Sequence, residues 1–156
     1  MQSAFIGWKQ EPDEYLARIL GHDRLEKLNP IRTFRDNNIV VSFGSDAPCT
    51  TPDPIAWMDR AVNNDNAGQA VSVQDALRMC TYNGAWAAFD EQERGSLEAG
   101  KIADMAVLSE NPYTVPKDKL SGLRVERLYL GGKPYESCRE SILPMMLRGL
   151  TSRNKA

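Results

Sequence analysis

One stretch of this sequence has residue types suited to chemistry: Ile39, Val40, Val41, Ser42, Phe43, Gly44, Ser45, Asp46, Ala47 and Pro48. An apolar, β-branched run gives way at Gly44 to a polar turn holding Asp46. An aspartate just past the C-terminal end of a buried strand can ligate a divalent metal. It can also act as general base on a water that such a metal activates. The same aspartate could simply bond loop amides or cap the next helix, and the residues alone leave both readings open. The other candidates are fewer. The sequence has one histidine, His22, and three cysteines, Cys49, Cys80 and Cys138, with no CxxC pair. A hydrolytic zinc centre usually draws three ligands from the protein, so these residues cannot build a histidine-rich one. The spread, odd-numbered cysteines suit free thiols in a reducing compartment, and a cytoplasmic location is expected.

The elements around Asp46 follow from periodicity and punctuation. Residues 39–43, bounded by Asn37-Asn38 and Gly44, read as a strand buried on both faces, as in a parallel sheet covered by helices. Loops at the C-terminal ends of such strands carry the reactive groups. Ahead of it, Glu11-Pro12-Asp13 reads as a helix start, and Tyr15, Leu16, Ile19 and Leu20 as its apolar stripe, stopped at Gly21. His22 then suits a helix C-terminus better than a metal. Pro30 begins or kinks a further helix whose face includes Ile31 and Phe34.

Beyond the strand, Pro52, Asp53 and Pro54 lead into a helix with Ile55, Trp57, Met58, Ala61 and Val62 inward. Ser72 and Asp75 resemble a capping box at the head of the next helix. Gly84 within the following helical stretch predicts close packing or a break. From Gly95 the period changes. Residues 102–108 read as a strand, residues 124–130 alternate, and Gly131-Gly132 is a tight hairpin turn. Ser137 onward reads as helical.

The chain has 156 residues, 42% hydrophobic and 26% charged, with net charge -2. That is enough to bury a core, and its near-neutral balance gives no reason to expect nucleic acid as a partner. No apolar run approaches the ~20 residues that span a bilayer, so no membrane partner is expected either.

Three blocks together resemble the C-terminal part of metal-dependent amidohydrolases, specifically the amidohydrolase family 3 branch, the YtcJ-like proteins. The first is Phe43, Gly44, Ser45, Asp46, Ala47 and Pro48 with Pro52, Asp53 and Pro54. The second is Ser72, Ala76, Leu77, Thr81, Asn83 and Ala85. The third is Gly95, Ser96, Leu97, Glu98, Ala99, Gly100, Lys101, Ile102, Ala103, Asp104, Met105, Ala106, Val107 and Leu108, with Asn111 and Pro112. The resemblance implies an α/β fold: the C-terminal fragment of a (β/α)8 barrel, followed by a small antiparallel β unit from a composite β-sandwich. It divides the chain into residues 1–92 for the barrel part, 93–137 for sandwich strands and 138–156 for a C-terminal helix and tail.

The resemblance makes Asp46 the metal-binding, proton-shuttling aspartate at the end of the eighth strand. Asp104 is then structural, receiving loop amides, and Lys101 a solvated turn residue. A barrel of this kind needs ~250 residues, so the remaining ligands are expected ahead of residue 1. The parent enzyme would use zinc or another divalent metal to hydrolyse a carbon–nitrogen bond in a small amide-type substrate. The isolated chain is expected to be a fragment that holds no metal, is inactive alone and forms homo-oligomers through its unpaired strand edges. The alternative is a non-catalytic, oligomerising or ligand-binding α/β domain.

Overall fold

A computed structural model of the chain describes residues 1–3, 6 and 15–135. The helix start expected at Glu11-Pro12-Asp13, the helix from Ser137 and Cys138 lie outside the described residues. Within them the order is helices first, then a small sheet. Three short helices, α1 (Tyr15–Leu20), α2 (His22–Leu25) and α3 (Ile31–Asp36), precede the extended segment 39–44. Three more follow it: α4 (Pro54–Val62), α5 (Val73–Cys80) and α6 (Tyr82–Ala87). The antiparallel sheet is β1 (Met105–Leu108), β2 (Val125–Leu130) and β3 (Lys133–Pro134), in the order β1-β2-β3.

Local chemistry sets most of these boundaries. Gly21, at φ +74, ends α1, with its N–H on the Ala17 carbonyl at 2.8 Å. His22 then opens α2 rather than closing α1. The Asp53 carboxylate accepts from the Ile55 and Ala56 amides at 3.0 and 3.3 Å, and Pro54 supplies the first helical position of α4. Ser72 caps α5, accepting from the Asp75 amide at 3.0 Å while its hydroxyl donates to the Asp75 carboxylate at 2.7 Å. Gly131 and Gly132, both at positive φ, make the β2–β3 turn. The strand expected over 102–108 is shorter, because residues 102–104 serve the turn next to them: Gly132 N–H bonds Ala103 O, and Ile102 N–H bonds Glu93 O.

The largest departure is at residues 39–43. The backbone is extended, but no strand ladder forms there among the described residues. Ile39 and Val40 are 52% and 45% exposed, whereas Val41 is buried. A strand buried on both faces sits inside a sheet, with a strand along each edge and helices covering each face. Here Met1 supplies one short pairing, donating to Ser42 O at 2.6 Å and accepting from Gly44 N–H at 3.0 Å. Helices occupy the other side.

Val41, Met58, Ala61, Val62, Ala76 and Met79 form one core with Ile31, Leu120 and Leu123. Leu120 lies on a 3-10 helix, Lys117–Gly122, and Leu123 ends it; the helix lies against α4, where Asn63 Nδ2 donates to Lys117 O at 2.7 Å. Trp57, expected inside, is half-buried, its indole N–H reaching Thr51 O at 3.3 Å. Gly84 does not mark close packing, since a Cβ there would meet nothing within 4 Å. The break lies at Thr81 between α5 and α6, at φ −124 and ψ −91.

Phe89 ends α6 at φ +60 with its side chain 93% exposed, and Asp90 N–H closes the turn on Ala85 O at 2.9 Å. A left-handed position after a helix is where glycine is usual, and a bulky side chain there is strained. Phe89→Gly is expected to stabilise the protein by ~1 kcal/mol, because the ring has little contact to lose. Thermal unfolding should show a Tm raised by a few degrees. A lowered Tm would mean that the ring packs on something.

Candidate active site

Asp46 sits in a turn immediately after the extended segment, at φ +54, exposed to solvent. The left-handed region suits Asp and Asn best among residues other than glycine. The turn is closed by backbone and hydroxyl groups. Cys49 N–H donates to Asp46 O at 2.8 Å, Ala47 N–H to Ser45 Oγ at 3.1 Å, and the Thr50 hydroxyl to Ser45 O. None of these bonds uses the Asp46 carboxylate, which takes no hydrogen bond or ion pair from the described residues. The helix-capping role belongs to Asp53 instead. Of the two readings the residues left open, a purely structural bond for Asp46 therefore finds no partner here.

The segment behind Asp46 is held from both sides. Ser42 O and Gly44 N–H meet Met1, while Val41 O accepts from the buried Asn83 side chain at 2.7 Å and Phe43 N–H donates to Met79 O at 3.1 Å. On the same flank an open groove of about 370 Å³ lies between Ile39, Val40, Tyr82 and Trp86. Arg35, on α3, crosses to Asp75 at 2.6 Å at one side of it. Burial pushes the Asp75 carboxyl up, but hydrogen bonds from Ser72 and Arg35, with the Arg35 charge, outweigh it and leave the carboxyl below its ordinary value. Hydrogen bonds to Asp36 and Asp75 raise the Arg35 guanidinium. The capping-box aspartate of α5 is what draws Arg35 in from solvent.

Other candidates resolve into structural roles. Asp104 accepts from Gly131 N–H at 2.7 Å and from Arg94, and so fastens the hairpin turn. Lys101 is not a solvated turn residue. Its side chain is 12% exposed, its ammonium donates to Glu91 O at 2.7 Å and Ser96 Oγ at 2.6 Å, and it lies 5.6 Å from the Tyr82 ring centre. Cys80 is half-buried against α4, with its thiol 3.6 Å from Pro54 O, and desolvation pushes its pKa up to about 12, so it is no nucleophile at neutral pH. Cys49 and His22 are exposed.

Among the described residues no group of three or more His, Cys, Asp or Glu side chains is placed to hold a metal ion. An exposed carboxylate with no partner among the described residues does fit one position of a divalent-metal centre, as a hard oxygen donor. Among the described residues Asp46 could fill one position of such a centre at most.

A mixed α/β chain with a disengaged carboxylate at the end of an extended segment, followed by capped helices and a small antiparallel sheet, is the class of structure at hand. Similarity to known proteins gives the family. A family model described as "Amidohydrolase family" matches residues 2–135, and the chain belongs to that family. It is 37% identical over 135 residues to the N-substituted formamide deformylase of Arthrobacter pascens, covering 82% of this chain and 23% of that protein. It is 27% identical over 124 residues to YtcJ of Bacillus subtilis, covering 73% of this chain and 23% of that protein. Among solved structures, the amidohydrolase of Thermotoga maritima superposes with a TM-score of 0.53 at 25% identity, over 68% of this chain and 25% of that one. The chain therefore spans about a quarter of the length of these proteins.

Proposed function

We propose that this chain is the C-terminal portion of a (β/α)8 amidohydrolase with part of its β-sandwich, and that the whole protein hydrolyses a carbon–nitrogen bond in a small, non-peptide amide. Asp46 is the proton-transferring group. One observation carries this reading: Asp46 is held in a left-handed turn with its carboxylate bonded to none of the described residues, while the neighbouring Asp53 does the structural work of capping α4. Family membership supports it, and the similarity to an N-substituted formamide deformylase makes N-substituted formamides the first substrates to try.

A divalent metal, zinc among the candidates, would supply an acidified water at neutral pH when bound in the whole protein. Asp46 is the ligand that this chain contributes, and the other ligands come from outside the described residues. Its carboxylate accepts the proton of the attacking water and returns it to the departing amine nitrogen, so that a free amine leaves. The closing turn between Ser45 and Thr50 fixes the backbone from which the carboxylate projects.

Amine released from an N-substituted formamide by the full-length protein, lost after chelation and restored by added divalent metal, is the expected result. Metal-loaded full-length protein that releases no amine from any of a series of secondary amides would overturn the proposal.

A further inference from the structure

Met1 meets the segment before Asp46 as one parallel strand meets another. Its nitrogen donates to Ser42 O at 2.6 Å and its carbonyl accepts from Gly44 N–H at 3.0 Å, so one residue bridges two that stand two apart on its neighbour. This register sets Met1 level with Phe43, and Gln2 level with Gly44 at a strand spacing of about 4.8 Å. Side chains along such a pair alternate between two faces. Val41, Phe43 and Met1 share one face, packed into the core with Met58, Ala76 and Met79 of α4 and α5. Ser3 turns the same way: it is buried, with its hydroxyl donating to Trp57 O of α4 at 3.0 Å. Gln2, half-buried between Met1 and Ser3, therefore faces away from the helices, on the side shared by Ser42 and Gly44.

In a (β/α)8 barrel the face turned from the helices is the interior, and the C-terminal ends of the strands carry the site there. Gln2 stands at that end, one strand over from Asp46 and level with a residue two positions before it. Gly44 places no side chain between them. A carboxamide has no proton to exchange near neutral pH; it offers two N–H donors and one acceptor oxygen, which suits recognition. The acceptor of a neutral amide is its carbonyl oxygen. We propose that Gln2 is a substrate-binding residue of the Asp46 site, donating from Nε2 to the carbonyl oxygen of the amide to be cleaved. This rests on the reading of the whole protein as a barrel enzyme in which Asp46 transfers the proton.

The test uses the full-length, metal-loaded protein and an N-substituted formamide. Gln2→Met keeps the length of the side chain and removes the donor. It is expected to raise KM by ~5–50-fold, the scale of one hydrogen bond left unmade. A contact made alike in ground and transition states leaves kcat within about threefold. The Tm should not move, because the side chain faces away from the core. The released amine is the control, since it lacks the carbonyl: its inhibition constant should stay within about twofold. An unchanged KM, or an equal weakening of formamide and amine, overturns the proposal. Should Gln2→Met not fold, Gln2→Ala decides by the same two constants. Full activity of Asp46→Asn, with the Gln2 effects as expected, fails the reading of Asp46 alone. No amine released by the unmodified protein fails the proposed function, and the role of Gln2 falls with it.

Discussion

Replacing Asp46 by Asn in the full-length protein is expected to lower kcat by ~10²–10⁴-fold, the range for removal of a general base. The backbone at this position makes the substitution unusually clean. Asp46 lies at φ +54, where Asn is at least as well tolerated as Asp, so the turn should persist. The carboxylate takes no bond from the described residues, so little is lost from the fold and unfolding should be almost unchanged. What disappears is the charge and the basic oxygen. KM should move less than kcat when the two proteins are compared at equal metal content, because the loss falls on proton transfer rather than on holding the substrate. Asp104→Asn is the matched control. It weakens the bonds to Gly131 N–H and Arg94, so it should lower stability while turnover per folded molecule stays intact. Steady-state kinetics with metal analysis on both variants checks the pair. An Asp46→Asn enzyme with unchanged kcat would remove Asp46 from the mechanism.

Asp46 could be singled out in the sequence because a carboxylate at an abrupt change from apolar run to turn is a local signal. The Ser72 cap was legible for the same reason, since it acts on Asp75 within three residues and takes its place as expected, whereas Asp53 was read only as loop before α4 and proves to be its cap. The Gly131-Gly132 turn is local too. What local pattern could not show is what lies beside an element. Residues 39–43 have the composition of a strand buried on two faces, yet burial depends on neighbours, and here one side meets only Met1 and the other meets helices. Asn83 stood within a resembling block without a role, because its partner is 42 positions away. Lys101 has the sequence surroundings of a solvated turn, but the turn folds over its stem and gives its ammonium two acceptors. Leu120 and Leu123 sit in a stretch without clear period, and only the 3-10 helix shows how both reach the core.

The second large effect concerns stability and falls on Gly95. Two independent penalties meet there. Its φ is +85, a left-handed conformation that costs a residue with a Cβ about 1–2 kcal/mol. A Cβ built on Gly95 would also lie 2.7 Å from the Ala85 Cβ and 2.9 Å from the Tyr82 Cα. Neither neighbour is the end of a flexible side chain: one is a methyl fixed to α6 and the other is backbone. Relief requires the turn and the helix to separate, and overpacking of this kind costs a further ~1–3 kcal/mol. Gly95→Ala is therefore expected to destabilise by about 2–5 kcal/mol, a large part of a typical domain's margin. Gly100 separates the two penalties. It has φ +94 but nothing within 4 Å of where a Cβ would stand, so Gly100→Ala should carry the conformational cost alone, ~1–2 kcal/mol. Gly84→Ala lies within α6 with open space around it and should stabilise by ~0.5–1 kcal/mol through helix propensity. Denaturant unfolding of the three variants should give that order, Gly95→Ala lowest and Gly84→Ala highest. If Gly95→Ala and Gly100→Ala lost the same stability, the close approach of the 95 turn to α6 would play no part in holding the two together.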